Sequence, residues 1–326
     1  MSESKTVLVV GGAGYVGSSL ISRLLRDTNW NVKVFDQLTY DADSLFQFFN
    51  YEKFSFIKGD LRNFELTKIV ENVDYVVNLA ALVGGPICEK YPKEAKEINF
   101  EANINLAKIC EKKNVKRYVM MSTGSNYGLR HNQAMLKEED ELQSTSLYAE
   151  TKVNSEKILL NELDELDVIV LRAATAYGMA SRIRFDLLLH QFIFEAWKKK
   201  QINLFGPNSW RPMVHVDDIA RAIVLTLTKN DKIKSKDVFN VGSNDQNFKK
   251  IELAEIVSER LNVGISETET RKDPRDYRLS FDKITSELGY HTIHRPKESV
   301  DQIATALENG LISDRILHES VNIKSN

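Results

Sequence analysis

Two cysteines in 326 residues, Cys88 and Cys110, are too few for a disulfide framework or a thiolate metal centre. Both are expected to be buried, reduced thiols. The six histidines show no paired-ligand spacing, so no metal is expected. No apolar run is long enough to cross a bilayer, and no signal segment precedes the first strand-like stretch, so a cytoplasmic protein is expected. A formal charge of −2 gives no electrostatic attraction to nucleic acid or to a membrane surface. The basic cluster Lys198-Lys199-Lys200 reads as a solvated helix end, and Glu138-Glu139-Asp140-Glu141 as a solvated loop. Internal repeats and low-complexity linkers are missing too. What remains is 42% hydrophobic and 28% charged, the composition of a soluble globular enzyme. Its length suits one large α/β unit or two intimately joined lobes.

The apolar, β-branched run Thr6-Val7-Leu8-Val9-Val10 reads as a buried parallel strand. Gly11-Gly12-Ala13-Gly14-Tyr15-Val16-Gly17 follows, and then a stretch of helical spacing. The glycines fit two spacings, Gly12/Gly14/Gly17 and Gly11/Gly14/Gly17. Either lets the chain turn sharply, approach a pyrophosphate and pack helix on strand. The helix N-terminus then offers backbone N–H groups to the anion. A second strand, Val32–Phe35, ends at Asp36, nineteen residues after Gly17. An acidic residue there suits the ribose hydroxyls of NAD and repels the extra phosphate of NADP. No arginine follows in Gln37-Leu38-Thr39-Tyr40, so NAD is the expected cofactor.

Further strand-like runs (54–57, 74–79, 117–121 and 167–171) alternate with helical segments such as 94–111 and 149–160. That rhythm predicts an α/β fold, a Rossmann-type doubly wound parallel sheet, with a smaller C-terminal substrate-binding lobe. The expected division is 1–172 for the dinucleotide-binding part and 173–326 for the substrate lobe, with the two interleaved. The second part is expected to hold helices over 185–200, 216–227 and 249–261 and short strands at 202–205 and 238–241. Loops at the carboxyl ends of the strands should hold the cofactor: 11–17 with Tyr15 and Val16, 36–40 with Leu38 and Thr39, 59–61, 80–85 and 122–128.

Ser122-Thr123-Gly124-Ser125 is followed by Tyr148-Ala149-Glu150-Thr151-Lys152. Tyr148 and Lys152 are four apart and share one helix face. The ammonium is expected to stabilise a phenolate whose ordinary pKa is about 10, making the phenol a usable general base for a sugar hydroxyl.

With these residues in view, the chain resembles an extended short-chain dehydrogenase/reductase of the nucleotide-sugar epimerase/dehydratase family. The likeness spans Val7 to about Gly289 and includes Asn78-Leu79-Ala80-Ala81, Tyr177-Gly178 and Arg211-Pro212-Met213-Val214-His215-Val216-Asp217-Asp218. The resemblance implies that Asp60 and Leu61 bracket the adenine, and that Leu79, Ala80 and Ala81 line the ribose and nicotinamide. It implies that Asn99 belongs to the cofactor site and supports the catalytic helix. Thr123, Tyr148 and Lys152 would form the catalytic triad. Thr175, Arg184, Phe205, Arg211 and Arg275 would meet a nucleotide-diphosphate sugar, an arginine's fork of donors being suited to a diphosphate. A salt bridge from Arg211 to Asp217 or Asp218 is the structural alternative, and His215 reads as a packed structural residue. A homodimer built through a four-helix bundle is implied as well.

Related 4,6-dehydratases and UDP-glucuronate decarboxylases usually carry a Glu just after the threonine, where this chain has Gly124-Ser125. Neither residue can act as such a base at neutral pH. Epimerisation through transient oxidation at C4 is therefore expected, with a net 4-dehydrogenase as the alternative. The motifs also resemble members from bacterial surface-polysaccharide pathways, some of which oxidise C4 of a GDP-heptose. A non-catalytic NAD-binding regulator would lack Tyr148 or Lys152, and both are present.

Overall fold

A computed structural model describes residues 4–129, 134–229, 233–268, 275–313 and 316–317. Seven strands form the central sheet: β1 (Thr6–Val10), β2 (Asn31–Asp36), β3 (Phe54–Lys58), β4 (Tyr75–Asn78), β5 (Arg117–Thr123), β6 (Val168–Ala173) and β7 (Asp237–Val241). Their order across the sheet is β7-β6-β5-β4-β1-β2-β3, and every neighbouring pair is parallel. This is the doubly wound arrangement, with the reversal of strand order between β1 and β4.

Side-chain alternation along the strands divides the core between two faces. Val7, Val9, Val34, Val77 and Ile169 face one layer, with the helices Tyr15–Asp27 and Val216–Thr228 over them. Leu8, Val10, Phe35, Val76 and Val170 face the other, with the helix Asn103–Lys112. Val7, Leu8, Val9 and Val10 are fully buried. Each such side chain contributes about 1.5–3 kcal/mol, which is why a continuous apolar run marks a strand covered on both sides.

A third cluster fills the second lobe, between the helices Leu188–Lys199, Lys250–Leu261 and Pro296–Glu308. Small sheets surround it. Thr175–Tyr177 runs parallel to Met213–His215, and Gln201–Phe205 parallel to Gly264–Thr268. One expected strand changes place. Val238–Val241 was expected in the smaller lobe, yet β7 pairs with β6 and completes the central sheet. A short β-branched run specifies a strand and not the sheet it joins. The acidic stretch also differs in part: Glu138 turns inward, its Oε1 accepting from Asn240 N–H at 2.7 Å, while Glu139, Asp140 and Glu141 stay exposed.

Candidate active site

A single cavity of about 1030 Å³ runs along the carboxyl ends of the strands, and nearly every expected site residue lines it. At one end stands the glycine turn. Gly11 has φ +80°, and a Cβ there would lie 2.7 Å from Ala80 N. A Cβ on Gly17 would lie 2.5 Å from the carbonyl oxygens of both Gly11 and Gly12. Gly14 is the N-cap of the helix Tyr15–Asp27 and caps it with no side chain. Gly12 instead packs on Val34, where a Cβ would come within 2.6 Å of Cγ1. The wider spacing, Gly11/Gly14/Gly17, therefore builds the cradle.

Asp36 lies beside that turn. Its Oδ2 accepts from Ala13 N–H at 3.0 Å and its Oδ1 from Leu38 N–H at 2.8 Å. Leu38 takes a left-handed conformation (φ 59°) to make the second bond. Burial pushes the Asp36 carboxyl up, against the pull of these N–H groups and of Arg182. Val16, Thr39, Leu61, Leu79, Ala80 and Ala81 complete this half. Tyr15 also lines it, and its Oη donates to Gly178 O at 2.6 Å. Asp60 reaches the cavity with its carboxylate held by Arg62 at 2.6 Å, which keeps its pKa low.

Asn99 is the one expected site residue that the cavity does not reach. It sits one layer behind, in a π-helical turn (Glu97–Ala102) between the helices Pro92–Lys96 and Asn103–Lys112. Its Oδ1 accepts from Leu82 N–H at 2.8 Å and its Nδ2 donates to Leu82 O at 3.0 Å. Its own carbonyl accepts from Ser155 Oγ, on the helix Leu147–Asn161 that carries Tyr148 and Lys152, at 3.1 Å. Asn99 thus fixes the loop after β4 against that helix from a position behind the cavity wall.

Thr123 ends β5, and the helix Leu147–Asn161 brings in Tyr148 and Lys152. Ser146 caps this helix, accepting from Ala149 N–H at 3.3 Å, which sets its first turn at the cavity wall. Beneath the wall, Arg172 pairs with Glu156 at 2.7 Å. Asn126 donates to Ser122 Oγ at 3.0 Å and to Glu156 Oε1 at 2.7 Å, so buried bonds lock the loop after Thr123.

The electrostatics depart from the expectation. Burial drives the Tyr148 phenol well above its ordinary value, with Arg184 and a hydrogen bond to Thr123 opposing. Lys152 points its Nζ at Met121 O, 2.9 Å away. Burial lowers Lys152 to about 8, opposed by the Glu156 carboxylate. In the chain by itself the ammonium is thus the readier proton donor. Helical spacing fixes which side chains share a face; it does not set how dry that face is.

The remaining residues extend towards the second lobe. Arg184 is buried and held bidentately by Asp186 at 2.9 and 2.8 Å. Thr175, Arg211 and Arg275 line this half, and Phe205 stands at 37% exposure on its wall. Asp217 pairs with Arg23 and His294, and Asp218 with Arg221, while Arg211 is buried at the cavity wall. His215 is a packed residue, its ring stacked on His294 with centroids 4.0 Å apart. Its Nδ1 accepts from Asp217 N–H. Tyr277 escaped the sequence reading, whereas Arg182 belongs to the run Ser181–Leu187, whose two arginines were expected near the substrate diphosphate. Tyr277 presents a buried phenol to the cavity, and Arg182 stands at the Asp36 end. Each lies far along the chain from the first-lobe residue it approaches, Tyr148 or Asp36.

Residues 7–242 match the family model described as the NAD dependent epimerase/dehydratase family. The chain belongs to that family. Within it, the chain is 28% identical over 319 residues to a UDP-glucuronate 4-epimerase of Thermodesulfobacterium geofontis, covering 93% of each. It is 28% identical over 324 residues to a UDP-glucose 4-epimerase of Lactobacillus helveticus, covering 92% of this chain and 95% of that protein. Among solved structures it is similar to DesIV, a dTDP-glucose 4,6-dehydratase from Streptomyces venezuelae, with a TM-score of 0.85 and 25% identity. That match covers 95% of this chain and 99% of the other, which was solved with NAD bound.

NAD is the cofactor of the epimerase/dehydratase family, and the residues present fit it. A side chain at Gly11 would collide with the backbone of Leu79 and Ala80, and one at Gly17 with the backbone of Gly11 and Gly12, so the tight turn at this end of the cavity requires glycine. The uncapped helix start suits a pyrophosphate, and Asp36 suits a ribose diol. Among the described residues no cluster of metal-ligating side chains accompanies these groups, and no helix is long and apolar enough to cross a membrane.

Proposed function

We propose that this chain is an NAD-dependent nucleotide-sugar epimerase acting by transient oxidation at C4. One observation carries the reading. Thr123, Tyr148 and Lys152 line the cavity, while the two positions after Thr123 are Gly124 and Ser125. A Cβ on Gly124 would lie 2.9 Å from Leu279 Cδ1 and 3.3 Å from Ala173 O, so a longer side chain there would require Leu279 to shift. A 4,6-elimination needs an acid and a base near the ketosugar; a glycine and a serine supply neither at neutral pH.

Bound NAD would accept a hydride from the sugar and return it, and its cationic ring would favour the Tyr148 phenolate. Tyr148 takes the proton of the C4 hydroxyl. Thr123 holds the same oxygen, and Lys152, protonated below pH about 8, keeps positive charge behind the phenol. Tyr148 gives the proton back after the ketosugar has turned its other face. Room for that turn is consistent with the Gly84-Gly85 stretch of the wall, where no described heavy atom lies within 4 Å of a Cβ built on Gly84. The names of the curated relatives, two of them 4-epimerases, support the same choice. We also propose a cytoplasmic homodimer, formed through the adjacent helices Asn103–Lys112 and Leu147–Asn161.

The test incubates the protein with UDP-, GDP-, dTDP- and CDP-sugars, reads products by NMR and follows NADH absorbance. An epimer without net NADH is expected, and Tyr148→Phe should lose most of the turnover, about a hundredfold or more. A ketosugar with stoichiometric NADH would mean a 4-dehydrogenase instead, and a 6-deoxy product would mean a dehydratase.

A further inference from the structure

We propose that Arg182, carried by the second lobe, is a cofactor-contact residue that closes the adenosine end of the dinucleotide site. The guanidinium is buried, and its Cζ lies 3.7 Å from the centroid of the Tyr40 ring. Tyr40 ends the loop that Asp36 begins, and Arg182, Tyr40 and Asp36 line the same cavity. The segment leading into Arg182 is tied to the first lobe at two points. Gln47 Nε2 donates to Ser181 Oγ at 2.6 Å, and Tyr15 Oη donates to Gly178 O at 2.6 Å.

The chemistry of that end calls for a cation. The glycine turn leads an anionic pyrophosphate towards a loop that holds Asp36 and Asp41. Repulsion between these carboxylates and the ligand grows as water is excluded. Arg182 lies within electrostatic reach of both. Its neighbour Arg184 is engaged by Asp186 and does not do the same service there. Stacking on Tyr40 offsets part of the cost of burying the charge. A guanidinium offers N–H donors in a fixed plane, and ribose hydroxyls and phosphate oxygens are acceptors. The cofactor site is thus completed by a residue far along the chain from the glycine turn. This inference rests on the family's use of NAD and is independent of the choice between epimerase and dehydrogenase.

Calorimetry on nucleotide-free protein tests it with two ligands, NAD and ADP-ribose, which lacks the nicotinamide. Arg182→Gln should weaken both by the same factor, about ten- to a hundredfold, the worth of a lost charge-assisted contact. Loss for NAD with unchanged ADP-ribose would overturn the proposal, because it would put the effect at the nicotinamide end. Unchanged affinity for both would overturn it too. Arg182→Lys, which keeps the charge and loses the planar fork, serves if the Gln variant does not fold. It should lose about three- to tenfold for both ligands, and wild-type affinity in that variant would sink the idea.

Discussion

Lys152 is held as a cation where little water reaches it, and that has a measurable cost. Its pKa falls to about 8 in the folded chain because of burial, against about 10.4 unfolded. Between those values the unfolded chain binds more protons, so stability rises with pH across that window. Below pH 8 the folded chain carries the full cost of the buried charge. Lys152→Met should therefore stabilise the nucleotide-free protein at pH 7 by about 1–3 kcal/mol, and the advantage should fade towards pH 10. Urea unfolding at the two pH values checks this, and activity should be lost throughout. At this scale the sequence was partly legible. The spacing of Tyr148 and Lys152 and the placement of Asp36 pointed to the right cavity. The direction of the Tyr148 shift was not legible, since it depends on burial; Arg182 was legible as a cation near a diphosphate, but its place beside Asp36 was not, because the fold alone brings the two together.

Among elements, the segment after the strand Thr175–Tyr177 joins the two halves of the site. Gly178 has φ +105°, and a Cβ there would sit 2.0 Å from His215 Nε2. Its N–H donates to His190 Nε2 at 2.9 Å, and His190 Nδ1 therefore carries the proton it gives to Arg184 O. One glycine so links Tyr15, His190 and, through His190, Arg184. Gly178→Ala should cost about 3 kcal/mol or more, from a strained backbone and a steric clash that His215 has little room to relieve. It should also weaken NAD binding. Gly264→Ala is the control: no described heavy atom lies within 4 Å of a Cβ there, and the change should stay within about 0.5 kcal/mol. Thermal unfolding with and without NAD reads both. Strands and long helices were legible from their apolar periodicity. The π turn at Asn99 was not, because one extra residue per turn leaves no mark on a pattern of helical spacing.

For the whole molecule, acid is the expected weakness. Burial holds His190 at about 4 and His215 at about 3, and both are neutral in the fold. Unfolded, each would titrate at about 6.5, so below that pH the unfolded chain binds more protons and stability falls. The loss should develop between pH 6.5 and about 4 and reach a few kcal/mol. Urea midpoints measured from pH 8 to pH 4 test this, and His190→Gln should flatten the decline.

The chain's path also carries a consequence for its synthesis. β7 closes one margin of the central sheet, yet it lies beyond the strands and the two helices of 175–228. While a ribosome is still making those residues, β6 has an open flank of unpaired N–H and C=O groups, the kind of edge at which chains stick to one another. The nascent protein is therefore most exposed to self-association after β6 has emerged and before Asp237–Val241 arrives to seal it.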